Sequence, residues 1–347
     1  MRLEAKAKMN SAGSVQEKSH FDVLQSSYKV LINSFYGYLG YARGLFNDYE
    51  QADNVTSRGQ QILRKLMEEI RRHGGKVIEV DTDGIFFVSP SEIQTENEEE
   101  KFLERIAKVL PRKIKLATGE RYRKMLSYKK KNYALLGYDD KIIIKGSSLI
   151  SRSIEPFGRN YIQHCIELLL RGKIEDLHSL YVILYKDILE RRTDIRDLTR
   201  TETLRDSKEQ YEREVKSGKR NRSASYEVAL SLGLHWKPGR RISTYITGTE
   251  AEVVGFKNCK LLELWDPNFP DENVPYYMRR LHEFSRKFER FFLPQDFRAI
   301  FSVEDLFDFS PNGIGILTTP ISTKVPELIG VEAAKKDIGI SIWLDTE

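Results

Sequence analysis

The sequence predicts an α+β fold, with a sheet-bearing first half and a mostly helical second half, on three observations. Apolar residues recur at helical spacing through much of the first 72 positions. Runs rich in β-branched and aromatic residues then recur between Lys76 and Ile150. Beyond Glu155 the helical spacing returns. A chain of 347 residues has room for about two or three structural units.

Phe21, Leu24, Tyr28, Leu31 and Phe35 share one side of a helix, which Gly37 and Gly40 are expected to end. A second helix is expected over about 52–72, burying Val55, Ile62, Leu63, Leu66 and Ile70 and closing at Gly74-Gly75. KVIEV-DTDG-IFFV reads as a β-hairpin with acidic residues at its tip. The acidic stretch from Glu96 to Lys101 opens another helix, whose buried side is Phe102, Leu103, Ile106 and Leu110. KIKLA, NYALLGY and KIIIKG read as strands. In the second half, Tyr277, Leu281, Phe284 and Phe288 follow i, i+4, i+7, i+11. Residues 313–347 have no strong periodicity and are expected to form a tail packed on the preceding helices.

Composition narrows the function. Apolar residues make up 40% and charged residues 31%, so the chain can bury real cores and is not wholly disordered. No apolar run reaches the roughly 18–20 residues of a membrane span, and no apolar h-region follows the charged start. Cys165 and Cys259 make neither a disulfide framework nor a zinc knuckle. The expectation is a soluble, cytoplasmic protein. The net charge is +5, yet residues 191–241 alone carry 14 Lys/Arg against 8 Asp/Glu. That local excess fits a polyanion partner, and it equally fits solvated helices.

Some residues carry possible chemistry. Lys29, Asn33 and Tyr36 share a helix side away from the apolar stripe, a cation, an amide and a phenol suited to a planar phosphorylated ligand. By spacing alone, a solvated polar face explains them more simply. Arg2 and Lys6, at i, i+4, would sit together on a helix and could clamp phosphates. Asp81 and Asp83 crowd two carboxylates at the hairpin tip, where a divalent cation such as Mg²⁺ would relieve the repulsion. Aspartates are also common in ordinary turns.

In combination these segments resemble the family B DNA polymerases. Lys29-Val-Leu-Ile-Asn33-Ser34-Phe35-Tyr36-Gly37 looks like the fingers motif K-x-x-x-N-S-x-Y-G, and the hairpin looks like the palm motif with its D-T-D core. KKNYA at 130–134 is similar to the K-K-x-Y-A segment, and Arg2 and Lys6 match an R-x-x-x-K pair. KPGRRISTYITG and YYMRRLHEF resemble the thumb. The resemblance implies fingers over 1–45, palm over 46–154, thumb over 155–310 and a tail of unknown role over 311–347.

It also implies roles. Asp81 and Asp83 would be catalytic and hold Mg²⁺ in a two-metal site completed by a residue outside this chain. Arg2, Lys6, Lys29, Asn33, Tyr36 and Gly37 would bind the incoming dNTP. Lys130, Lys131, Tyr133 and Arg152 would hold the primer-template DNA, with Lys216, Lys219, Arg220 and Arg222 gripping duplex phosphates.

Three departures from the family pattern stand out. The family's other palm motif, which supplies a second metal-binding aspartate, precedes the fingers, and the chain begins at Met1 just after it. Glu79 stands where an aromatic residue is frequent, and the acidic residues usual before K-K-x-Y-A are not reproduced. The expectation is therefore the C-terminal portion of a DNA-directed DNA polymerase, working with a second polypeptide that carries the exonuclease and first palm motif. The alternative is a catalytically silent protein that binds primer-template or nucleotide.

Overall fold

The structure is a computed structural model that describes residues 1–82, 84–112, 114–151, 153–303, 309–317 and 338–346. It divides into two compact units, one of residues 1–123 with 321–347 and the other of 124–320. This division falls within the strand that runs over Ile114–Lys129.

The first unit opens with α1 (Arg2–Asn10) and α2 (Val15–Leu39). Ser14 caps α2 by accepting from the Glu17 amide, and Gly40, not Gly37, ends it. The apolar stripe of α2 is not core. No residue of α2 is buried, and Leu31 and Phe35 are 53% and 67% exposed. α3 (Tyr49–Arg72) starts from an Asp48 cap and does bury Leu63, Leu66 and Ile70, whereas Val55 is exposed.

β1 (Lys76–Asp81) and β2 (Gly84–Val88) form the expected hairpin. The register shifts between Val77 and Glu79, which inserts one extra residue in β1 and adds local twist toward the tip. α4 (Glu96–Ala107) begins with a Thr95–Glu98 capping box. Its Phe102, Leu103 and Ile106 join Leu63, Leu66, Ile70, Ile85 and Phe87 in one core. Each such side chain contributes about 1.5–3 kcal/mol on burial.

β3 runs unbroken over Ile114–Lys129, so KIKLA is only its first third. Arg121 ties it to α4 through ion pairs with Glu96 (2.6 Å) and Glu99. The strand order of this unit is β1-β2-β9-β3, where β9 is Ile338–Thr346. β9 pairs antiparallel with β2 on one side and with β3 on the other. Residues 338–346 are therefore a sheet strand, not a tail on the second-half helices, because their backbone groups complete the ladders of β2 and β3.

In the second unit the end of β3 turns into β4 (Asn132–Gly137), which pairs with β5 (Ile142–Lys145) ahead of the short α5 (Ser147–Ile150). α6 (Pro156–Arg171) and α7 (Ile174–Leu189) follow. They pack with α10 (Val274–Ser285) and α11 (Pro294–Ile300), elements separated from them by a small inserted module. Phe157 lies edge-on to both Tyr277 and Phe284, and the expected stripe of Tyr277, Leu281, Phe284 and Phe288 is fully buried here.

The module is β6 (Arg200–Leu204), α8 (Lys208–Lys216), α9 (Ala224–Ser231), β7 (Arg240–Ile246) and β8 (Cys259–Leu261). Its three-stranded sheet, ordered β6-β7-β8, has a separate core of Leu204, Tyr211, Tyr226, Val228, Ala229, Ile242 and Leu261. The second half is mostly helical, as its sequence predicts, with this small sheet set into it. Among the described residues, no helix is long and apolar enough to cross a membrane.

Candidate functional site

The candidate residues fall at four places. The first is the hairpin tip, where Asp81 ends β1 opposite Gly84. Thr82 follows with φ 62°, a left-handed conformation that is costly for a β-branched residue, and its hydroxyl donates to Asp81 Oδ1 at 3.2 Å. Asp83 lies outside the described residues. Asp81 fits as one oxygen ligand of a divalent cation, but the described residues contain no group of three or more His, Cys, Asp or Glu that could hold a metal. They do not complete a two-metal site.

The second place is the α1–α2 hairpin. Four residues separate the helices, and the Tyr28 hydroxyl lies 3.8 Å from Met1 Sδ. This brings the Arg2 end of α1 alongside α2, one residue from Lys29. Ala5 is buried against α2, while Arg2 and Lys6 are half-buried. Lys29, Asn33, Tyr36 and Gly37 are all exposed on α2, and a Cβ at Gly37 would meet open space.

The third place is the β3–β4 turn at Lys130–Lys131. Lys131 has φ 61°. Asn132 braces the turn, donating from Nδ2 to Lys130 O at 2.9 Å and accepting from the Ser148 amide at 2.8 Å. Gly146 closes against it with φ +98°, and a Cβ there would stand 2.3 Å from Lys131 O. Lys130 and Lys131 are exposed. Tyr133 is 3% exposed, so its ring packs inside the unit and offers no open face to a strand. Arg152 lies outside the described residues.

The fourth place is the loop between α8 and α9, with Lys216, Lys219, Arg220 and Arg222. Lys216, Lys219 and Arg222 are exposed, and the Arg222 guanidinium sits 5.5 Å from the Phe256 ring. Arg220 is different. It donates to Asp206 Oδ2 at 2.5 Å and lies over the rings of Tyr211 and Tyr226, which stack at 4.2 Å. Its charge is paired inside the module. At this position the guanidinium thus has a structural partner as well as the phosphate contact expected of it.

Residues 1–218 match the family described as DNA polymerase family B. The chain belongs to DNA polymerase family B. It is 29% identical to the DNA polymerase of Thermococcus gorgonarius over 286 residues, covering 80% of this chain and 35% of that one. Against DNA polymerase 1 of Pyrococcus abyssi it is 30% identical over 178 residues, covering 50% of this chain and 23% of that one. The chain thus spans about a quarter to a third of the length of these relatives. A similar fold is found in the family B DNA polymerase of Pyrobaculum calidifontis, with a TM-score of 0.57 and 20% identity over 82% of this chain and 36% of that one.

Within this family B chain, the pairing of Arg220 leads to a test. The hydrogen bond from Arg220 holds the Asp206 carboxyl below its ordinary range. A carboxyl depressed on folding stabilises the fold above its unfolded pKa, and that contribution is lost as pH falls through the lower folded value. The module is therefore expected to loosen as pH drops below about 4. Arg220→Ala should remove this acid step and lower stability by about 1–2 kcal/mol through the lost ring contacts alone. Lys219→Ala should leave the melting temperature unchanged. Thermal melts across pH check all three outcomes.

Proposed function

We propose that this chain is the C-terminal portion of a DNA-directed DNA polymerase. Family membership carries the reading, and it is supported by three of the four clusters lying on segments that resemble family motifs. In this reading 1–45 acts as fingers, 46–154 as palm and 155–310 as thumb, and the remainder of the palm comes from a second polypeptide. Asp81 and Asp83 hold the Mg²⁺ ions, which when bound would stabilise the attacking and leaving oxygens of nucleotidyl transfer.

The chain's own residues bind and orient. Arg2, Lys6 and Lys29 hold the triphosphate of the dNTP, as fixed cations suited to charge that grows on phosphoryl transfer. Tyr36 stacks on the nascent base pair, Gly37 leaves it room, and Asn33 orients the helix or nucleotide. Lys130, Lys131 and Arg152 grip the primer strand, with Tyr133 positioning the two lysines from within. Lys216, Lys219 and Arg222 contact duplex phosphates without reading sequence.

The test is primer extension by the chain alone and with a polypeptide spanning the segment of the relatives that precedes Met1. Extension is expected only from the combination. A combination that binds primer-template but never extends it would overturn the polymerase reading in favour of a silent binder.

A further inference from the structure

The surroundings of the β3–β4 turn are also held by the segment Arg286–Phe291 that follows α10. Lys287 Nζ donates to Ser148 O at 3.0 Å, and the Arg290 guanidinium donates to Tyr128 O. Lys287 Nζ lies 5.8 Å from the centroid of the Tyr128 ring, and Lys129 Nζ lies 5.6 Å from the same centroid. Two ammonium groups thus share one aromatic ring.

Among the described residues, neither ammonium has a carboxylate at ion-pair distance. The other cation acting on Lys287, Arg280, is already committed to Glu155 (3.1 Å) and Glu283 (2.6 Å). Burial, then Lys129 and Arg280, push the Lys287 pKa down. The ring quadrupole offsets part of this crowding. An anion at these ammonium groups would offset far more, and Lys130 and Lys131 begin the next turn of the chain.

We propose that Lys129 and Lys287, which share the Tyr128 ring, form a binding site for a nucleic-acid phosphodiester. The grip of the β3–β4 turn on a strand then continues onto the α10 side of the unit. The site rests on the polymerase reading, and Lys287 enters it from a part of the chain that no motif singles out.

The experiment titrates the full chain with a labelled primer-template duplex over a range of salt. Lys287→Met and Lys129→Met are each expected to weaken binding about tenfold at low salt. Each should also make the salt slope shallower by about 0.9, the mark of one lost phosphate contact. Lys287→Arg should keep the slope. If both Met variants keep the parent slope, Lys287 only braces Ser148 O and the proposal is overturned, even where melting temperature drops. Lys129 is exposed, so its variant remains informative if Lys287→Met fails to fold. Displacement of the duplex by an equal concentration of inorganic phosphate would also overturn it, as marking a free-phosphate site. Parent binding with no salt dependence would overturn the polymerase reading itself, an outcome distinct from a loss confined to the variants.

Discussion

Primer extension by the combined polypeptides is expected to fall about a thousandfold in Asp81→Asn. Loss of a metal-ligating carboxylate removes several kcal/mol of transition-state stabilisation, and each 1.36 kcal/mol is tenfold in rate. Asparagine keeps the size of the side chain and an oxygen to accept the 3.2 Å hydrogen bond from Thr82. The backbone register of Asp81 with Gly84 has no reason to change. The variant should therefore melt like the parent and bind primer-template with the same affinity. Steady-state extension and anisotropy on the same preparation separate the outcomes. Equal extension by parent and variant would sink the assignment of this hairpin.

Gly146→Ala is expected to have the second-largest effect, on the β3–β4 turn. At φ +98° an L-residue is strained by about 1–3 kcal/mol. The new methyl would also stand 2.3 Å from Lys131 O and 2.4 Å from Asn132 Oδ1. Both neighbours belong to the brace of the turn, one of them as backbone, so Lys130 and Lys131 must move. Duplex affinity of the chain should drop about tenfold, the worth of one charge-assisted contact. A crystal structure or amide exchange of the variant should show the change confined to residues 129–133 and 145–149. Unchanged affinity with a displaced turn would remove Lys130 and Lys131 from the DNA interface.

The elements that depend on local pattern were legible in the sequence. The 3.6-residue spacing placed α2 and α3, and two β-branched runs around DTDG placed the β1–β2 hairpin. Spacing reports that a face exists and not what covers it, and the stripe of Leu31 and Phe35 is exposed. Charge counting has the same blindness. It treats Arg220 like Lys219, and only the fold brings Asp206, Tyr211 and Tyr226 around the arginine. The strain at Thr82 could have been suspected, because a two-residue hairpin loop favours positive φ and threonine resists it. The role of Lys287 could not, since its partners Ser148 and Tyr128 are remote in sequence.

The position of β9 bears on the order in which this protein can fold. Ile85 and Ile342 are register partners, as are Leu116 and Leu344, so the first sheet closes through contacts spanning most of the chain. During synthesis β1, β2 and the start of β3 emerge long before the strand that lies between them. Closure of so long a loop is slow because its entropy is lost before any ladder bond forms. The second unit closes over shorter though still long separations, such as the 162 residues between Tyr128 and Arg290. Until residues 338–346 arrive, the edges of β2 and β3 that they cover stay open to pairing with other chains.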